Sequence, residues 1–161
     1  MPLTLADLTR RTGLDVLDHL EREAAIPVTG RLQAQGDLIV IPFAWLDGQV
    51  EFWPHPRWQP VPGAGLILLR SAAGGNPHTP HTPHTPHTMH TLVADPGRCE
   101  WTTSVADRTG LGLGALTTAG VAYLLHPEHG GAGIAPGTYL VRRQREGADR
   151  VRGRDGRLIA D

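Results

Sequence analysis

The chain has one cysteine, no lysine, 5% aromatic residues and a formal charge of −1, and each shortage closes off a class of explanation. A lone thiol at Cys99 excludes a disulfide framework within the chain. With no recognisable signature around it, it reads as a small packed residue before it reads as a nucleophile. All 15 basic residues are arginine, which fits a GC-rich genome better than any binding role. Without lysine there is no phosphate loop of the glycine–lysine type, and no Gly-x-Ser-x-Gly elbow occurs either. The near-neutral balance gives the chain as a whole no electrostatic reason to seek nucleic acid or an anionic membrane. No run approaches the ~18 apolar residues needed to span a bilayer. The opening residues 1–8 lack both the basic and the continuous apolar parts of a secretory signal. A soluble, cytoplasmic protein is expected.

What is present suggests one domain built on short strands. A length of 161 residues suffices for a single hydrophobic core. Its 20 glycines and 14 prolines make it loop-rich, but they stay under the roughly 25–30% associated with wholesale disorder. Residues 4–25 carry Leu5, Leu8, Leu14, Leu17 and Leu20 at helical spacing, with Thr4 and Asp7 placed as a capping box. Gly13 is expected to split this stretch into two short helices, and Pro27 to end it. The pair resembles the start of a helix-turn-helix, but Asp15, Asp18, Glu21 and Glu23 in the second helix would repel phosphates.

From residue 30 the pattern changes to short apolar runs between glycine and proline. Strands are expected at 38–41, 49–53, 66–69, 91–94, 99–102, 121–125 and 138–141, with Asp47-Gly48 as a hairpin turn between the first two. Residues 108–119 are too glycine-rich for a confident helix and suggest a loop over a cavity. Short strands without intervening helices argue a mainly β fold: a small antiparallel barrel or sandwich, cupin-like in one version, behind a short helical N-terminal segment. The expected layout is a helical segment at 1–28, a β domain at 29–145 with a low-complexity loop at 76–91, and a basic, solvated tail at 146–161. Arginines at 142, 143, 145, 150, 152, 154 and 157 already mark the loss of apolar character after Val141, and a closing strand at 157–160 is expected.

Three sets of residues invite a chemical reading. Residues 77–91 repeat Pro-His-Thr four times and end in Met-His-Thr. A period of three matches the polyproline II helix, which would set His78, His81, His84, His87 and His90 along one edge about 9 Å apart. A Zn–N bond is about 2.1 Å, so a stiff rod cannot close a tetrahedral site, and weak multi-site metal uptake is the chemistry expected of His78, His81, His84 and His87. A slipped-repeat expansion in a surface loop explains the same residues without function. Second, His126-Pro127-Glu128-His129 puts two imidazoles and a carboxylate in four residues where an apolar run ends. The spacing and Pro127 oppose a zinc-protease helix. A divalent-metal site (Zn, Ni, Fe or Mn) at His126, Glu128 and His129 would need a further ligand, for which His90 and His55 are candidates. Alternatively, His126 and Glu128 simply bond the backbone of a tight turn. Third, Trp45, Trp53 and Trp58 offer either a stacking platform or ordinary packing.

The sequence resembles a group of small, uncharacterised bacterial and phage-borne proteins. Their pattern opens on Gln-Gly-Asp, carries Gly-His-x-His mid-chain and closes on His-x-Glu-His, Gly-x-Tyr-x-Val and Arg-Gln-Arg-Glu-Tyr. Here the opening is Gln35-Gly36-Asp37-Leu38-Ile39-Val40-Ile41-Pro42. The close is His126-Pro127-Glu128-His129, Ile134, Gly137-Thr138-Tyr139-Leu140-Val141 and Arg143-Gln144-Arg145-Glu146. Two positions depart: the mid-chain motif falls at Thr88-Met89-His90, and the final tyrosine is Gly147. The resemblance implies metal binding through paired histidine motifs, with one ligand lost in this member and the Pro-His-Thr repeats as a replacement. The leading expectation is therefore an accessory or binding protein with a His/Glu pocket for a metal or ligand at His126, Glu128, His129 and His90. Its partner is expected to be a small molecule or a protein, with nucleic acid disfavoured and no membrane. The alternatives are a metal-dependent, cupin-like enzyme acting on a small molecule, and a nucleic-acid-associated protein using the arginine-rich tail.

Overall fold

A computed structural model describes residues 3–18, 20–68 and 89–144. The repeat histidines His78, His81, His84 and His87, the tail at 146–161 and its expected closing strand lie outside the described residues. The remainder is mainly β, with thirteen strands and one α-helix among the described residues. Helix α1 (Leu5–Thr12) starts at Thr4, whose side chain accepts from the Asp7 N–H while Asp7 accepts from the Thr4 N–H. It ends at Gly13, where φ of +76° reverses the chain at no side-chain cost. The second helix expected beyond Gly13 does not form among the described residues. Leu14 and Leu20 instead pack irregularly against the α1 layer.

The strands are β1 (Val28–Thr29), β2 (Gln33–Gln35), β3 (Leu38–Pro42), β4 (Val50–Phe52), β5 (Gln59–Pro60), β6 (Leu66–Ile67), β7 (Thr91–Ala94), β8 (Cys99–Thr102), β9 (Val105–Asp107), β10 (Gly112–Thr118), β11 (Ala122–His126), β12 (Gly130–Ile134) and β13 (Gly137–Arg143). One sheet runs β1-β12-β11-β7-β6, a second runs β2-β3-β13-β10-β8-β5, and β4 pairs with β9 in a separate ribbon. All pairs are antiparallel except β1 with β12. Each larger sheet keeps two edge strands among the described residues, so the arrangement is a sandwich and not a closed barrel.

Alternation along the strands builds three apolar layers. Leu92, Ala94, Ala122, Leu124 and Ile134 of one sheet meet Leu38, Val40, Trp101, Leu116 and Val141 of the other. The intervening residues Val93, Tyr123 and Leu125 face outward and are covered by Leu5 and Leu8 of α1 with Ile26. On the far side, Ile41 and Leu140 are covered by Leu46 and Val50.

Two expectations fail for physical reasons. Asp47-Gly48 does not close a hairpin, because Pro42 leads into a short 3-10 turn at Phe43–Leu46 and β4 leaves to pair with β9. Glycine-rich 112–118 is no loop but strand β10, in the middle of the larger sheet. A Cβ on Gly114 would lie 2.5 Å from the Trp101 ring, so the missing side chain makes room for the indole. Gly131 does the same in β12, where a Cβ would meet Ile26 at 2.8 Å. Strand β13 runs on through Arg142 and Arg143, past the point where the apolar character ends.

Candidate functional site

The Gly36-Asp37 turn joins β2 to β3 in two residues, with φ of +61° at Gly36. Across the sandwich, β7 and β11 run antiparallel with Leu124 opposite Leu92 and Leu125 opposite Thr91. The same register sets His126 opposite His90 at one end of the sheet. Both lie on the inward face by alternation, and both are buried. Where the pattern Leu92, Leu124 would continue with two more apolar residues, the chain supplies two imidazoles. The turn carrying Asp37 closes over that end.

Three histidine rings lie in series, tilted to one another: His90 and His126 are 4.4 Å apart between centroids, and His126 and His129 4.6 Å. The structure thus brings His90, His126 and His129 together. Glu128 is exposed; its backbone N–H joins the site, while its carboxylate has no hydrogen bond or ion pair among the described residues. His55 sits in an exposed loop with φ of +54° and has no ring contact with the three. Trp45 and Trp53 are more than half exposed, and Trp58 leans on Phe52.

Hydrogen bonds fix which nitrogen carries each proton. The backbone N–H groups of Glu128 and His129 donate to His126 Nδ1 at 3.0 and 3.3 Å. Nδ1 is therefore bare, and neutral His126 carries its proton on Nε2. Nε2 has no hydrogen-bond partner among the described residues, in a ring that is only 4% exposed. Burial, followed by the neighbouring His90 and His129, pushes the His126 pKa down to about 4 against the pull of Asp37. The ring stays neutral at physiological pH.

Gln35 orders His90. Its amide nitrogen donates to the carbonyls of Leu124 (2.9 Å) and Gly130 (3.1 Å), so its Oε1 must face His90 Nδ1 at 2.9 Å and accept from it. The other ring nitrogen of His90 lies 3.0 Å from Asp37 Oδ1. Burial lowers the His90 pKa, opposed by the hydrogen bond and charge of Asp37 and reinforced by His129. Gln144 holds the turn from outside: its N–H donates to the Asp37 carbonyl and its amide to the Gly36 carbonyl. Gly36 admits the third ring, for a Cβ there would fall 2.7 Å from His129 Cδ2.

These bonds do not fit a metal centre. Both nitrogens of His90 are engaged, and the bare nitrogen of His126 already accepts from two backbone groups. Among the described residues no group of three or more His, Cys, Asp or Glu side chains is arranged to hold an ion. Gln35, Asp37 and Gln144 went unrecognised as site residues because 53 residues separate Asp37 from His90 and Gln35 has no titratable group. The sequence carried a signal nonetheless: of the motifs in the resemblance, Gln35-Gly36-Asp37 meets the histidines and Gln144 holds that turn. A family described as "Domain of unknown function (DUF8820)" matches residues 34–144, the span that contains every one of these groups. No curated protein and no solved structure matches the chain.

Proposed function

The chain belongs to that family, and we propose that it is a binding protein whose ligand site is the histidine-walled end of the sandwich. The residues are His90, His126, His129 and Glu128, as the sequence suggested, joined by Asp37. The ligand is a small polar molecule with an acceptor oxygen, held by hydrogen bonds and not by a coordinated metal. One observation carries this reading. His126 is neutral, bare at Nδ1 and bonded there to two backbone N–H groups, so it offers a fixed Nε2–H donor with no partner among the described residues. A donor locked in one direction costs little to organise when an acceptor arrives. Half-buried Asp37 and exposed Glu128 disfavour an anion beside it, which leaves neutral carbonyl compounds as the favoured class. A cytoplasmic setting suits the single buried thiol, whose pKa burial pushes up to about 11.

The test is a titration of the purified full chain with small amides, ketones and carboxylates, followed by NMR of the histidine rings. An amide or ketone that moves the His126 and His129 ring signals supports the site. Responses confined to other residues, or none from any compound, overturn it. Elemental analysis of the same sample bears on the metal reading: one tightly held divalent ion per chain, lost in His126→Ala, would replace the hydrogen-bonding site by a metal centre.

A further inference from the structure

We propose that Asp37 and His90 form an acid–base pair that stores one exchangeable proton, making Asp37 the proton-transferring group of the ligand site. This rests on the binding site proposed above and adds a chemical role to it. Gln35 spends both amide hydrogens on the Leu124 and Gly130 carbonyls, leaving only an acceptor for His90 Nδ1. His90 therefore keeps a proton on Nδ1 in every state of the folded site. Its Nε2 lies 3.0 Å from a carboxylate oxygen. Two bare acceptors do not rest at that separation, so a second proton occupies the gap and is shared by the pair, as imidazolium with carboxylate or as neutral imidazole with carboxylic acid.

The two partners differ in exposure in a way that suits transfer. His90 is closed to water, whereas the Asp37 side chain is 43% exposed and has a second oxygen with no partner among the described residues. The titratable groups facing the pair are His126 on β11 and His129 in the turn after it. Gln144, an uncharged group, holds the backbone of the turn. A ligand that accepts a proton would draw it through Asp37. The Nε2–H bond breaks as Oδ1–H forms, and the carboxyl group turns about Cβ–Cγ. Oδ1–H then breaks as the bond to the ligand oxygen forms, leaving neutral His90 facing a carboxylate. That contact is repulsive until a proton returns, so uptake and release of the proton are linked to the ligand. Neutral His126, with its Nε2–H, would polarise the same oxygen. The compounds suited to this pair are carbonyl compounds whose oxygen becomes more basic during reaction.

Ring-nitrogen NMR of the full chain labelled at histidine, recorded from about pH 5 to pH 8, tests the pair. The expected result is a protonated Nδ1 of His90 throughout, with Nε2 protonated at the acid end and bare at the alkaline end. In Asp37→Asn the amide donates to Nε2, which then stays bare across the range. A bare Nε2 throughout in the unmodified chain overturns the proposal, as does a bare Nδ1, or an Asp37→Asn chain that titrates like the parent. The unmodified chain alone decides the first two outcomes, so the test survives if the variant folds poorly. Failure here leaves ligand shifts at His126 and His129 unaffected, which separates it from failure of the binding site itself.

Discussion

Asp107 meets Arg142 through two hydrogen bonds of 2.9 and 3.0 Å, with the two side chains only 3% and 13% exposed. Asp37 meets His90 through one, with a closed base and an open acid. Asp107 ends β9 of the small ribbon and is held by Arg142 of β13, whereas Asp37 sits in the β2–β3 turn and faces a base just before β7 of the other sheet. The pairs also differ in what they can do. Arginine does not release its proton, and the forked geometry leaves no freedom in either partner. Burial pushes the Asp107 carboxyl up, but hydrogen bonds from Arg142 and Thr109 more than reverse this and hold it below the usual range. That pair is scaffold. The His90 pair has a base that titrates, a partner reached by water, and a proton whose host is open to change. The lesson is that an ion pair becomes chemistry when one member can lose its proton and the other can touch a ligand.

The contrast can be broken most severely at the scaffold pair. Arg142→Met should destabilise the fold by about 3–5 kcal/mol, because it strands a buried carboxylate. Adding Asp107→Leu should recover most of the loss, and denaturant unfolding of the three chains measures both. Acid should act next most strongly, at the histidines. In the unfolded chain His126 takes up a proton near its ordinary pKa of 6.5, whereas the folded chain resists until about 4. The lowered folded pKa of a base makes the unfolded state the proton binder in that window. Stability should therefore fall as pH drops from about 6.5 to about 4, by at most roughly 3 kcal/mol. Urea midpoints at successive pH values report the slope.

Gly36→Ala should cost about 1–2 kcal/mol, because it forces a side chain into a left-handed conformation. Its Cβ should also push the His129 ring away from His126, seen as a loss of contact between those rings. Asp37→Asn should change stability least, by under about 1 kcal/mol, since a half-open pair contributes little to folding. A loss there as large as that of Arg142→Met would erase the distinction between scaffold and site.

The legible parts of this fold were those written in side chains. Apolar runs at Leu38–Pro42, Thr91–Ala94 and Cys99–Thr102 announced β3, β7 and β8, and the Thr4–Asp7 cap announced α1. What stayed hidden was written in their absence. Strands β10 and β12 are glycine-rich because Trp101 packs over one and the Ile26–Val28 segment over the other, and neither neighbour is near in sequence. The turn at Asp47-Gly48 looked like a hairpin because local chemistry does not reveal where the next strand finds its partner. In the site, His90, His126 and His129 were visible as residue types, but their protonation was not. That depends on Gln35, an uncharged residue whose importance is set by two backbone carbonyls on the opposite sheet.

Three imidazoles, one just before β7 and two from the His126–His129 turn, meet in one row at the end of the sandwich. Proton–proton contacts among histidine rings in the full-length chain test this arrangement most directly by NMR. Cross-peaks should link the ring of His90 to that of His126, and His126 to His129. Well-resolved ring signals with no such peaks would contradict the account.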